Sequence, residues 1–133
     1  MNTFLRRLDD EGVNLIVIIN GRTIFSSNKD GMVPLLEAIE KINTSELSGF
    51  TIIDKIVGKA AALLICLLQA KKVYTRMMSL KAVKVLDDHS IEYSAEKTIP
   101  DILNKSGTGI CPFEKIVSDT NNPEEAYKRL RTC

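Results

Sequence analysis

Phe50-Thr-Ile-Ile-Asp54-Lys55-Ile-Val-Gly58-Lys59-Ala60-Ala-Ala-Leu-Leu-Ile-Cys66-Leu-Leu68 joins a β-branched run to a long apolar one with no turn between them. Phe50 to Ile53 reads as a strand covered on both faces. Residues from about Lys55 to Ala70 read as a long helix that is apolar almost all round, which makes it the central packed helix. Beyond it, Lys72 to Thr75 looks like a short strand, Leu80 to Asp88 a helix and Ser90 to Ser94 a strand. A helix between consecutive strands is a crossover, and crossovers join parallel neighbours in the right-handed sense.

Before this unit, residues 3 to 10 have modest helical character that stops at Glu11-Gly12. Asn14 to Ile19 is a continuous β-branched strand, and Arg22 to Ser26 is a second one. Asn20-Gly21 between them predicts a type I′ hairpin, because both central positions of that turn need positive φ. Residues 32 to 42 carry Leu35, Leu36, Ile39 and Ile42 at helical spacing, with Pro34 in the first turn where a missing N–H costs nothing. After the last strand, Ile99 to Asn104 is expected as a short helix, and Gly107-Thr108-Gly109 breaks the chain. Pro112 opens a helix to about Val117, and Asn121-Asn122-Pro123 caps a final one from Glu124 to Arg131. The pattern is an α/β fold, a three-layer α/β/α sandwich. We read it as a single domain over residues 1–133, with 1–11 a short N-terminal helix or extension.

The totals agree. A chain of 133 residues is long enough for one core, and 44% hydrophobic with 26% charged residues is a globular balance. Eighteen Lys and Arg against 17 Asp and Glu leave no footprint for nucleic acid, whose binding rests on unneutralised cations. The longest uncharged apolar run, Ala60 to Leu68, is far short of the ~20 residues that span a bilayer. Three cysteines without a C-x-x-C pair fit a reducing compartment. The first ten residues place charge where a signal peptide needs apolar residues, so a cytoplasmic location is expected. A homo-oligomer is compatible with everything in the sequence.

Two segments can carry chemistry. In the first, Asp54-Lys55-Ile56-Val57-Gly58-Lys59-Ala60, Asp54 is placed to cap the helix and Lys55 and Lys59 to share one face. Gly58 inside a helix costs roughly 1 kcal/mol relative to Ala, so something must pack against it. The same residues also make sense as a cap, a packing glycine and two solvated lysines. A nucleotide P-loop is excluded by Ile53 and Ala60. In the second segment, Gly107-Thr108-Gly109-Ile110-Cys111-Pro112-Phe113-Glu114, Pro112 suits the first helical position and leaves Cys111 at or beside the N-cap. There helix N–H groups would stabilise a thiolate. Glu114 sits at N3 of a capping-box-like arrangement. Cys111 is thus a candidate nucleophile, redox-sensitive thiol or anion-site member, with Glu114 a candidate acid/base; alternatively the loop is a tight turn and Cys111 a gap filler. Cys66 reads as core and His89 as a structural residue at a helix end.

With these motifs the sequence resembles, over about residues 12–131, a family of small bacterial proteins of unknown function with a cytidine-deaminase-like fold. That resemblance implies a five-stranded mixed sheet of order 2-1-3-4-5, with the two segments brought together. Active deaminases of the fold hold zinc with His (or Cys)-x-Glu at one helix start and Pro-Cys-x-x-Cys at the other. Here the first helix is expected to open with Asp54-Lys55-Ile56, and the second offers only Cys111, so the resemblance does not extend to zinc-dependent deamination. No metal and no cofactor is implied.

Three functions remain open. The chain binds a small anionic or nucleotide-like ligand at paired helix N-termini, through Lys55, Gly58, Lys59, Gly107, Thr108 and Gly109. Alternatively it is a non-metal enzyme with Cys111 as nucleophile and Glu114 or Asp54 handling protons. A structural or interaction domain without a ligand is the third reading.

Overall fold

The computed structural model describes residues 3–133. Five strands form one mixed sheet of order β2-β1-β3-β4-β5. The hairpin forms as its turn demands: β1 (Leu15–Ile19) and β2 (Arg22–Ser27) pair antiparallel. Asn20 (φ 50°) and Gly21 (φ 76°) both occupy the left-handed region between them. β1 also pairs antiparallel with β3 (Phe50–Val57). The two crossovers place β4 (Ala70–Ser79) and β5 (Glu92–Ile99) parallel to β3 and to each other.

Alternation along the strands sorts side chains between two faces. Leu15, Val17 and Ile52 point into the larger core, with α3 (Lys59–Leu67), whose residues from Ala60 to Ile65 are fully buried. α2 (Val33–Lys41), α4 (Leu80–Asp88), α5 (Pro112–Ile116) and α6 (Pro123–Leu130) pack on this side. Ile16, Ile18 and Ile53 point the other way, where α1 (Thr3–Glu11) covers them with Leu5 and Leu8. Its Phe4 ring stacks on Tyr74, centroids 4.4 Å apart. Among the described residues no helix is long and apolar enough to cross a membrane.

Several expectations about local structure need correcting. β3 does not stop at Ile53: Asp54, Ile56 and Val57 pair in register with Thr75, Met77 and Met78 of β4, which itself runs ten residues rather than four. Sheet pairing with a central neighbour overrides the local helical tendency of Lys55 to Val57. The helix therefore starts at Lys59, with Gly58 as its N-cap rather than an interior residue. Asp54 lies on the strand and caps nothing; its Oδ1 accepts from the Lys55 N–H at 2.9 Å. Lys55 and Lys59 consequently share no helical face.

The last strand begins at Glu92 and continues to Ile99, and no helix forms over 99–104. Pro100 disfavours helical backbone at Ile99, and Leu103 instead forms a single antiparallel bridge to Ile110. Asn104 organises the turn between them, its Oδ1 accepting from Thr108 N at 3.0 Å. Cys66 is half-buried against the main core.

Candidate functional site

The two motif segments meet. Glu114, on α5, places its carboxylate at the start of α3, where Oε1 accepts from Lys59 N at 2.8 Å and Oε2 from Ala60 N at 2.7 Å. The first N–H groups of a helix have no partner within it, and a carboxylate there is favoured by both hydrogen bonding and the helix dipole. Glu114 thus caps a helix 55 residues away instead of its own. The capping box expected around Cys111 does not form, because this carboxylate is spent on α3. Cys111 is the N-cap of α5, and its thiol accepts no capping bond.

Gly58 makes this closure possible. A Cβ at that position would lie against Glu114 Oε1 and within 2.7 Å of both Glu114 Cδ and Ile102 Cγ1, closer than real side chains approach. Its backbone is extended, so room rather than conformation demands glycine.

Around this junction opens a cleft of about 730 Å³ at the carboxyl end of β3. One wall is Asp54, Lys55, Ile56 and Gly58; another comes from the 29–34 segment leading into α2; the third is residues 102–105 together with 111–114. The Phe113 ring closes one corner over Gly31, where an added Cβ would meet ring carbons at 3.2 and 3.3 Å.

Asp54 is the unusual group here. It faces inward on β3 beside Thr75, which is fully buried. Among the described residues no cation pairs with it. Burial pushes its carboxyl up to about 7, the Lys55 N–H opposing this only partly. An acid poised near neutrality can hold or release a proton at little cost, which is the property general acid/base and hydrogen-bond-donor roles require. By contrast, burial pushes the Cys66 thiol up to about 12, which leaves it almost no thiolate near neutral pH.

Of the residues singled out in the sequence, Asp54, Lys55, Gly58, Cys111 and Glu114 border the cleft. Lys59 borders a second, smaller hollow instead, its Nζ donating to Ser118 O at 3.3 Å. Gly107, Thr108 and Gly109 line neither; they form the outer turn of the 103–110 bridge. His89 ends α4, its Nδ1 2.9 Å from Val85 O. Reading the sequence missed Asn14, Asp30, Ile102 and Lys105, which also border the cleft. Only Asn14 left a signal, a polar residue directly before a β-branched strand; its Nδ2 donates to Asn28 O and Lys29 O at 3.2 and 3.0 Å and fixes the wall after β2.

The donor set does not suit zinc. Cys111 is the cleft's single thiol, the sole histidine lies elsewhere, and Glu114 is committed to backbone amides. Among the described residues no three His, Cys, Asp or Glu side chains converge as metal ligands.

No curated protein matches the chain. A crystal structure of a DUF1893 family protein (TM1506) from Thermotoga maritima superposes with a TM-score of 0.86 at 29% identity, covering 99% of this chain and 91% of that one. The family described as TM1506, domain of unknown function (DUF1893), matches residues 4–133. Fold, length and sequence agree in this: the chain belongs to the DUF1893 family.

Proposed function

We propose that this protein is a metal-free domain of cytidine-deaminase-like fold that binds a small nucleotide-like ligand in the cleft at the end of β3. One observation carries the reading: a half-buried carboxyl, Asp54, forms part of an open cleft and has no ion-pair partner among the described residues. Its one hydrogen bond, from the Lys55 N–H, offsets the desolvation of this carboxyl only in part, and a ligand bearing N–H groups offsets the rest. Ile56 and Phe113 supply apolar surface for a planar ring, while Lys55 and Lys105 stand at the exposed rim, where a phosphate would sit. The amides at the α3 start take no part, since Glu114 already fills them. This moves the ligand from the helix N-termini to the strand end beside them, the usual position in open α/β sheets.

The test is a titration of isotope-labelled protein with cytidine, adenosine and their 5′-monophosphates, followed by amide shifts. Saturable shifts at Asn14, Asp54 to Gly58, Cys111 and Phe113, lost in Asp54→Ala, are expected. If none of the four compounds moves these amides at millimolar concentration, the reading fails.

A further inference from the structure

The second hollow, about 340 Å³, shares Glu114 with the cleft but has a different chemistry. Lys59 at the start of α3, Lys81 and Lys84 on α4, and Lys115 on α5 all border it, together with His89. Three helices thus bring four lysines to the border of one small concavity in a chain whose net charge is only +1. Two carboxylates border the same space, Glu114 and Asp88. Glu114 is held by backbone N–H groups. Asp88 pairs with Lys84 at 3.3 Å between largely exposed side chains, an interaction of little strength. Lys81 reaches Asp101 at 2.9 Å, also at the surface. Among the described residues Lys59 and Lys115 form no ion pair.

Lys59 is the inner member. It is half-buried, and its ammonium is held below its usual value by burial, with Lys81 adding repulsion and Glu114 and Asp119 opposing both. Gathering like charges around a partly enclosed space is unfavourable unless a counter-charge enters it. We propose that this hollow binds a compact dianion, a phosphate group either free or as a monoester. The size fits one such group with a short organic body, whereas a nucleic-acid strand needs an extended groove with successive backbone contacts. The site is independent of the cleft and of the function proposed for it.

The experiment is a titration of the full isotope-labelled chain with inorganic phosphate and, in parallel, methyl phosphate, each against sodium chloride of matched ionic strength. Saturable amide shifts at Lys59, Lys81, Lys84 and Lys115 are expected, and about tenfold weaker binding in Lys84→Ala/Lys115→Ala. Both lysines are exposed, so this variant retains the fold. Asp54→Asn should bind phosphate as the parent does, which separates this site from the cleft. Binding of inorganic phosphate alone identifies a free-ion site; equal or tighter binding of the ester identifies an organophosphate one. Shifts no larger than those with chloride, shifts mapping elsewhere, or unchanged affinity in the double variant would overturn the proposal. So would tighter binding of a single-stranded oligonucleotide with a steep salt dependence.

Discussion

At Gly58 the backbone is extended and a Cβ would run into Glu114 and Ile102, whereas at Gly107 the backbone is left-handed (φ +73°) and nothing lies within 4 Å. One glycine makes room and the other makes a turn. The difference shows how the two motif segments divide their work. Asp54 to Ala60 meets the rest of the protein through close contact, so its residues are chosen by partners distant in sequence. Gly107 to Gly109 is satisfied within its own loop, where Gly107 N donates to Asn104 O at 3.0 Å.

The sharpest way to break the comparison is substitution at the two glycines. Gly58→Ala should cost about 3 kcal/mol in chemical denaturation, because either the Glu114 latch or Ile102 must give way. In a Glu114→Ala background the same change should cost less, since part of the obstruction is gone. Equal costs in both backgrounds would mean that Glu114 is not what Gly58 makes room for.

Asp54 comes next. Its folded carboxyl titrates at about 7, above its ordinary value of 3.8, so between these values the folded state holds a proton that the unfolded chain has released. Its contribution to stability is therefore lost as pH rises through that window and is most unfavourable above it. Asp54→Asn, which keeps the acceptor for Lys55 N–H, should raise stability by about 2 kcal/mol near pH 8 and change it little near pH 4. A gain that does not vary with pH would rule out ionisation as its source.

Glu114→Gln offers one acceptor where two amides wait, and should cost about 1.5 kcal/mol. Gly107→Ala should cost about 1 kcal/mol through conformation alone, with Gly107→Asn costing less because Asn tolerates the left-handed region. If Gly107→Ala proved as damaging as Gly58→Ala, the distinction between room and conformation would collapse.

How much of this was legible in the sequence follows the same divide. Asn20-Gly21 announced its hairpin because a type I′ turn is specified by the two residues that form it. The helix over 80–88, the opening of α5 at Pro112 and the cap at Asn122 are equally local, and Asn122 Oδ1 does accept from Glu125 N at 2.8 Å. The extension of β3 through Val57 was hidden because its cause is pairing with Thr75 to Met78, some twenty residues on. Reading that stretch as helix turned Asp54 into a cap and made Lys55 and Lys59 neighbours. Glu114 was misread for the same reason: its amide partners are distant in sequence, and a capping box was the nearest local explanation. That Gly58 must have something packed against it was readable; that the neighbour would be a carboxylate was not. Convergence of the two segments was expected from the resemblance, and the Glu114 contacts provide its physical basis.

The account depends most on Asp54 being a desolvated acid that borders the cleft and has no ion-pair partner among the described residues, and a carbon-13 titration of its carboxyl measures that directly. A midpoint near 7, with accompanying shifts at Lys55 and Ile56, is the predicted result. An ordinary midpoint near 4 would show a well-solvated carboxylate, and the cleft would lose the feature that marks it as a binding site.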